Sequence, residues 1–241
     1  MPGPDETLLD VEAAGVNFAD THQVDGSYLS ADLLPYVPGS EVVGRALALV
    51  TQGLTAWHLL RSAARLRPGE TVVVHSAAGG VGSLAVQLAR EFGAGRVLAQ
   101  VSPGKEGLAL ELGADAVVSY PLDEKADVVL DAAGGELFDR ALGSLASFGR
   151  LVSYGNASRS AFTPVDPARL SRLNASVVGF WLRPALAAPG GFDEPLKELF
   201  ALVEQGRLTP VAAAPYPLAE ARRVHEDLLA RRTTGKLILV P

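Results

Sequence analysis

The chain has 241 residues, of which 48% are hydrophobic and 20% charged, a balance typical of globular proteins that excludes a disordered one. Its net charge of −6 argues against nucleic acid as a partner, because phosphate binding needs a basic face. The absence of cysteine excludes disulfides, thiolate zinc sites, iron–sulfur clusters and a cysteine nucleophile. No run of about 18 unbroken apolar residues is present, and the first six residues lack the basic and apolar segments of a signal peptide. We therefore expect a cytoplasmic protein with no membrane partner.

The first 50 residues favour strands over residues 7–13 and 41–50, with a loop rich in glycine and proline between them. Two or three strands alone make a poor domain. We therefore expect this segment to pack on the rest of the chain or on a partner.

From about residue 70 the pattern alternates between strand and helix. The predicted helices cover residues 83–92, 104–112 and 137–145, and the predicted strands cover residues 71–75, 96–101, 116–120, 127–131 and 150–155. These strands are almost continuously apolar, which is typical of a parallel sheet covered on both faces and joined by right-handed crossovers. The sequence therefore predicts an α/β fold with a doubly wound parallel sheet of the Rossmann type.

After Gly155 the pattern loosens. Residues 156–172 are predicted to form a loop, residues 176–180 and 236–240 strands, and residues 193–205 a helix. A second helix is predicted over residues 218–232, with Arg231 and Arg232 in its last turn, where cations suit the helix dipole.

A glycine-rich segment follows the strand at residues 71–75. Ala77, Gly79 and Gly82 occupy the three small-residue places of the G-x-G-x-x-G pattern. Small residues let the backbone approach a pyrophosphate, and the helix that follows supplies N–H donors and a positive dipole. The alternative is a tight strand-to-helix turn that binds no ligand.

The end of the next strand bears on the choice between NADP(H) and NAD(H). An acidic residue that would hold the ribose 2′-hydroxyl of NAD is expected there, but the residue is Gln100 and no carboxylate occurs before Glu106. Ser102 and Lys105 instead offer a hydroxyl and a cation to a 2′-phosphate. NADP(H) is therefore favoured, unless Lys105 is an ordinary solvated lysine.

The histidines have no metal-ligand spacing, and no G-x-S-x-G elbow of a serine hydrolase occurs. His58 and His225 are expected on helix surfaces or half-buried, and His75 is expected to be positional. His22 is the one histidine that we consider for chemistry.

Several segments, in order along almost the whole chain, carry a resemblance to a known family. They are residues 11–21, 38–44, 52–56, 112–115, 131–135, 149–152 and 234–236. The chain resembles the quinone oxidoreductase (zeta-crystallin-like) branch of the zinc-independent medium-chain dehydrogenase/reductase superfamily. The resemblance implies a GroES-like barrel beside a Rossmann domain, and hydride transfer from NADPH to a quinone or activated enone without a metal.

One departure from the family is large. The stretch that carries most of the barrel in the family is missing between Gly44 and Gly53. We therefore expect residues 1–52 to be a truncated GroES-like β segment, and residues 53–241 to be the NADP-binding domain with a C-terminal segment that returns to the cleft.

The resemblance also implies roles for individual residues. Asn17 would hold a substrate carbonyl, unless it is an Asx-turn residue, and His22 would polarise or protonate an enolate oxygen. Residues expected to contact NADPH are Thr55 at the nicotinamide (or an N-cap); Gly79, Gly80 and Val81 at the pyrophosphate; Ser102, Lys105 and Tyr120 at the 2′-phosphate; Gly155 and Asn156 at the nicotinamide ribose; and Arg231 at the phosphates (or an ordinary helix cation).

A homodimer is expected through the edge strand at residues 176–180, with Trp181 and Leu182 near the interface or the cofactor. Two other functions stay open. One is an NADPH-binding module with little turnover because the barrel is truncated. The other is a family enzyme repurposed for a non-redox step.

Overall fold

A computed structural model describes residues 11–29, 39, 41 and 48–241. The described strands are β1 (Ala14–Val16), β2 (Thr71–His75), β3 (Arg96–Gln100), β4 (Ala116–Val117), β5 (Ala126–Asp131), β6 (Leu145–Ser153), β7 (Ser176–Gly179), β8 (Tyr216–Pro217) and β9 (Leu237–Val240). The described α-helices are α1 (Phe18–Val24), α2 (Leu54–His58), α3 (Gly80–Glu91), α4 (Glu106–Glu111), α5 (Gly135–Gly143), α6 (Pro167–Ser171), α7 (Leu182–Ala187), α8 (Asp193–Glu204) and α9 (Ala221–Leu229).

A six-stranded sheet in the order β4-β3-β2-β5-β6-β7 forms the centre of the described chain, and every strand pair in it is parallel. Its strands bury β-branched residues on both faces, as the apolar runs predicted. One face packs against α2, α3 and α8, and the other packs against α5. The predicted α/β class with a parallel Rossmann-type sheet is confirmed.

A second, three-stranded sheet joins the two ends of the described chain in the order β1-β9-β8. β1 pairs antiparallel with β9, and Val16 packs with Leu237, Leu239 and Val224. The N-terminal segment therefore packs on the C-terminal segment of its own chain.

The helix that contains α2 was not predicted. π-helical segments at Leu49–Gly53 and Leu59–Ala63 extend α2 at both ends. The predicted strand over residues 41–50 is therefore wrong at residues 48–50, and residues 42–47 lie outside the described residues. This helix also crosses the predicted domain boundary at residues 52–53, so that division stays a prediction.

Other elements differ from prediction at their ends. β1 lies after the predicted strand at residues 7–13, most of which is outside the described residues. β4 stops at Val117, and the predicted loop contains α6, while α7 was missed. A 3₁₀ turn precedes α9, which ends at Leu229, so Arg231 and Arg232 follow the helix instead of closing it, and Arg231 has a φ of 58°.

No helix within the described ranges is long and apolar enough to cross a membrane.

Candidate functional site

A cleft of about 1520 Å³ follows the carboxyl ends of the large sheet's strands. The loops after β2, β3, β5 and β6 line it, together with Asn17, Thr55 and Gly235. Since β2 and β3 end level with each other, at His75 and Gln100, the loops that follow them open at one edge. The volume exceeds the roughly 300–1,000 Å³ of ordinary small-molecule pockets, which leaves room for an extended ligand and a second molecule.

The glycine-rich turn between β2 and α3 stands in the middle of this cleft. A Cβ at Gly82 would overlap the carbonyl oxygen of Ser76, and one at Gly80 would overlap the side chain of Gln52. The first N–H groups of α3 have no acceptor within the helix, and Gly79, Gly80 and Val81 line the cleft. This tight turn at a helix N-terminus suits an anionic group such as a pyrophosphate.

Two cations lie together at one end of the cleft. Lys105 Nζ donates hydrogen bonds to the carbonyl oxygens of Arg231 (2.8 Å) and Thr233 (2.6 Å). Burial and then the nearby Arg231 lower the pKa of Lys105, and no acidic side chain within the described ranges pairs with it. Ser102 lines the same end of the cleft. Gln100 also lines the cleft, at the position where an NAD-binding protein would have an acidic residue. This end therefore has unsatisfied positive charge, as a 2′-phosphate site requires.

The expectation for Tyr120 does not fit the structure. Its hydroxyl donates to His75 Nε2 (2.7 Å), and His75 Nδ1 donates to Asp131 Oδ1 (2.9 Å), all in the core below the cleft. Burial and then Asp131 raise the pKa of Tyr120. Tyr120 is buried and is not among the residues that line the cleft with Ser102 and Lys105.

The His75–Asp131 pair supports the loop after β5. Asp131 accepts hydrogen bonds from the backbone N–H groups of Ala133 (3.1 Å) and Gly134 (3.2 Å). His75 is thus positional, as expected. His58, in contrast, is fully buried, with Nε2 2.7 Å from the Gly191 carbonyl oxygen, so the expectation that it lies on a helix surface or is half-buried is wrong.

Asn17 lies at the other end of the cleft, between β1 and α1. Its Oδ1 accepts hydrogen bonds from Lys236 Nζ (3.0 Å) and Gln52 Nε2 (3.2 Å), and its Nδ2 donates to Glu41 Oε2 (3.3 Å). Lys236 also forms an ion pair with Glu41, and the two side chains are 1% and 2% exposed. The Asn17 backbone N–H donates to Asp20 (2.8 Å).

This network contains residues to which the sequence analysis gave no role. Lys236 and Glu41 both lie in segments that carry the family resemblance, at residues 234–236 and 38–44. A lysine directly before the apolar run Leu237–Val240 was the local indication that its side chain is held by an acid. Burial lowers the pKa of Lys236 more than the Glu41 carboxylate raises it, and burial raises the pKa of Asp20.

His22 lines the cleft beside a different polar cluster. Its Nδ1 donates to Ser27 Oγ (2.6 Å), whose hydroxyl donates to Asp25 Oδ1 (2.5 Å), and Arg159 pairs with Asp25. Burial and Arg159 lower the pKa of His22 despite Asp25, so the ring is neutral near pH 7. With Nδ1 as the donor, Nε2 carries no proton, and this arrangement argues against His22 as a proton donor.

The remaining predicted residues line the cleft. Thr55 lies inside the helical run and donates to the Thr51 carbonyl oxygen (2.6 Å), so it is no N-cap. Hydrogen bonds with Ser158 and Ser160 hold the Asn156 side chain in place. Gly155 packs too closely for a side chain, since a Cβ there would be 2.8 Å from the Ala132 carbonyl oxygen. Both follow the end of β6 and line the cleft.

The parallel sheet, the glycine-rich turn and the cleft define the class of Rossmann-type dinucleotide-binding folds. Two family models cover most of the chain. The alcohol dehydrogenase GroES-like domain matches residues 3–109, and the zinc-binding dehydrogenase family matches residues 112–239. The first match extends across β2, α3 and β3 of the large sheet.

Individual relatives narrow this class. A quinone oxidoreductase of Pseudomonas aeruginosa is 35% identical over 229 residues, which is 88% of this chain and 69% of that protein. Quinone oxidoreductase 1 of Escherichia coli is 32% identical over 229 residues, with the same shares of each chain. This chain belongs to the quinone oxidoreductase family of the medium-chain dehydrogenase/reductase superfamily.

Solved structures agree with this assignment. The Thermus thermophilus quinone oxidoreductase, described with its NADPH complex, superposes with a TM-score of 0.87 at 35% identity, over 96% of this chain and 90% of that one. The Escherichia coli quinone oxidoreductase complexed with NADPH gives 0.80 at 27% identity, with the same coverage of each chain.

Proposed function

We propose that this chain is an NADPH-dependent reductase that passes a hydride to a quinone or an activated enone without zinc. The observation that carries the proposal is one continuous cleft. It joins the cations Lys105 and Arg231, through the glycine-rich turn, to the amide of Asn17. The named activity of the relatives and the NADPH in the solved complexes support the same conclusion.

The residues present fit the cofactor. Lys105, Arg231 and Ser102 would hold the 2′-phosphate, since two cations that have no acidic partner in the described part of the chain match its charge. The N–H groups at the start of α3 would take the pyrophosphate, because no Cβ at Gly79 or Gly80 covers them. Bound NADPH supplies the hydride from its nicotinamide ring.

The substrate end of the cleft is largely aromatic. Phe18, Tyr28, Phe162 and Trp181 line it, and the Trp181 indole N–H donates to the Tyr28 hydroxyl (3.1 Å). Flat aromatic side chains suit the stacking of a planar quinone. This aromatic surface supports quinones and conjugated enones as substrates.

Asn17 would assist the reduction as a hydrogen-bond donor. One Nδ2 proton is used by Glu41. The other has no acceptor among the described residues and would bind a carbonyl oxygen that becomes negative as hydride reaches the substrate. The substrate gains one hydride on carbon and one proton on oxygen or carbon, and water in the open cleft supplies the proton. Because Asn17 polarises the carbonyl and the sequence has no cysteine for a thiolate site, the proposal needs no zinc.

We further infer a homodimer in the cytoplasm, with residues 1–52 as the shortened barrel. β7 is at an edge of the described sheet, where its free backbone groups can pair with a second copy. Size-exclusion chromatography with light scattering tests this inference, and a purely monomeric mass contradicts it.

The function is tested by titrating the purified protein with NADPH and NADH in a thermal-shift assay and then adding a quinone or an enone. We expect stabilisation by NADPH, followed by loss of the absorbance of the reduced nicotinamide once substrate is present. Asn17→Ala is the matched variant and should bind NADPH normally but turn over about 10²-fold more slowly. NADPH binding without turnover in the wild type would leave only a binding module, and no binding would refute the proposal.

A further inference from the structure

The buried Lys236–Glu41 pair lies behind Asn17, on the side away from the cleft. Lys236 is 219 residues from Asn17 in sequence, yet its ammonium contacts both the Glu41 carboxylate and Asn17 Oδ1 (3.0 Å). The Glu41 carboxylate is itself held in place, because its Oε1 accepts a hydrogen bond from the backbone N–H of Thr51 (2.6 Å). Lys236 itself does not line the cleft.

These contacts allow only one orientation of the Asn17 amide. Two donors, from Lys236 and Gln52, meet its oxygen, and one acceptor, Glu41 Oε2, meets its nitrogen. A reversed amide would set its N–H group against the ammonium of Lys236 and its oxygen against the carboxylate. The network therefore fixes which edge of Asn17 carries the N–H groups.

We propose that Lys236 and Glu41 are positioning residues that hold the Asn17 amide with its free N–H toward the substrate carbonyl. This inference rests on the proposed function, since it gives the pair a part in the reduction. The chain makes room for the pair at Gly15, where a Cβ would stand 2.6 Å from both Glu41 Oε2 and Lys236 Cε. Asp20 is the other acidic residue close to Lys236 among the described residues. It accepts a hydrogen bond from the backbone N–H of Asn17 and does not bind the side-chain amide.

The test is the double variant Glu41→Gln/Lys236→Met. It removes both charges together and keeps the side-chain volumes, so stability stays close to that of the wild type. The new amide at position 41 would then face Asn17 with an N–H in place of the carboxylate oxygen, and the Asn17 amide should invert. The matched control is Glu70→Gln/Arg150→Met, which removes a largely buried ion pair away from the cleft.

Steady-state kinetics should separate positioning from simple damage. We expect kcat to fall about 10²-fold in Glu41→Gln/Lys236→Met, as in Asn17→Ala, with the KM for NADPH unchanged. The Glu70/Arg150 control should keep its kcat. In an Asn17→Ala background the same double change should add no further loss. A full additional loss there, or an unchanged kcat with Asn17 in place, would overturn the proposal.

A second readout does not depend on turnover. In ¹⁵N NMR spectra, the Asn17 side-chain amide, assigned by its loss in Asn17→Ala, should show one proton shifted by its carboxylate contact. That shift should vanish in Glu41→Gln/Lys236→Met. An unchanged amide resonance contradicts the positioning role, whereas a wild type with this resonance and no reductase activity would contradict only the proposed function.

Discussion

Gly15→Ala should destabilise the protein far more than one methyl group normally does. The added Cβ would lie 2.6 Å from Glu41 Oε2 and Lys236 Cε and 2.8 Å from Lys236 Nζ, closer than real Cβ contacts come. Both charged side chains are almost fully buried, so neither can turn into water when it is displaced. Removing one partner of a buried ion pair costs about 3–5 kcal/mol, whereas a surface pair contributes about 0–1 kcal/mol. We expect the free energy of unfolding to fall by an amount near the lower end of the range for a buried ion pair, because the β1 backbone can shift slightly.

The loss can be measured by equilibrium urea unfolding, with Gly107→Ala as the matched control. Gly107 lies in α4, where a Cβ would meet no atom within 4 Å. Its replacement should therefore stabilise the protein by about 0.5–1 kcal/mol through helix propensity alone. A Gly15→Ala variant that loses less than about 1 kcal/mol would refute the close packing of the buried pair.

Three further predictions concern the cleft and the sheet. Lys105→Ala should weaken NADPH binding about 10–100-fold by calorimetry and leave NADH binding unchanged, since only the 2′-phosphate contact is lost; equal weakening of both would point to collapse of the Arg231 segment. Burial alone raises the pKa of Glu70, but hydrogen bonds from Arg150 and the Arg67 backbone N–H lower that pKa overall. The ionised Glu70 carboxylate therefore stabilises the fold above the pKa that it has in the unfolded chain, and this stabilisation is lost as pH falls through its lower pKa in the folded protein. Between about pH 5 and 3 the wild type should therefore lose more unfolding free energy than Glu70→Gln, and parallel urea curves would contradict this. His22→Gln should change kcat by less than about threefold, because a neutral ring without a proton on Nε2 cannot act as an acid. A fall in kcat of about 10²-fold would instead show that His22 is the proton donor.

The sequence predicted the large sheet well because its strands are short β-branched runs that are buried on both faces. β2, β3 and β5 fall within a residue of their predicted bounds. The helical run around α2 was not predictable in the same way. A short apolar run such as residues 48–50 fits a buried strand or a buried helix equally, and only packing against α3 and α8 decides between them.

The site also has a part that the sequence predicted and a part that it did not. The glycine-rich turn is local in sequence, so its pattern sufficed to predict it, whereas Lys236, Glu41 and Asn17 meet only when β9 pairs with β1. The role expected for Tyr120 came from the family resemblance, and the strand pattern did not show that its hydroxyl would bind His75. Contacts across about 200 residues carry no local periodicity from which they could be predicted.

The central claim, that this shortened chain transfers hydride, is tested most directly with NADPH deuterated at C4 of the nicotinamide. The enzyme would be incubated with an enone and, separately, with each of the two C4 stereoisomers of the labelled cofactor, and the product analysed by mass spectrometry. The account predicts deuterium at the β-carbon of the reduced enone from one stereoisomer, because the cleft presents a single face of the ring. Reduced product without deuterium from either stereoisomer, or no product while NADPH is bound, would contradict it.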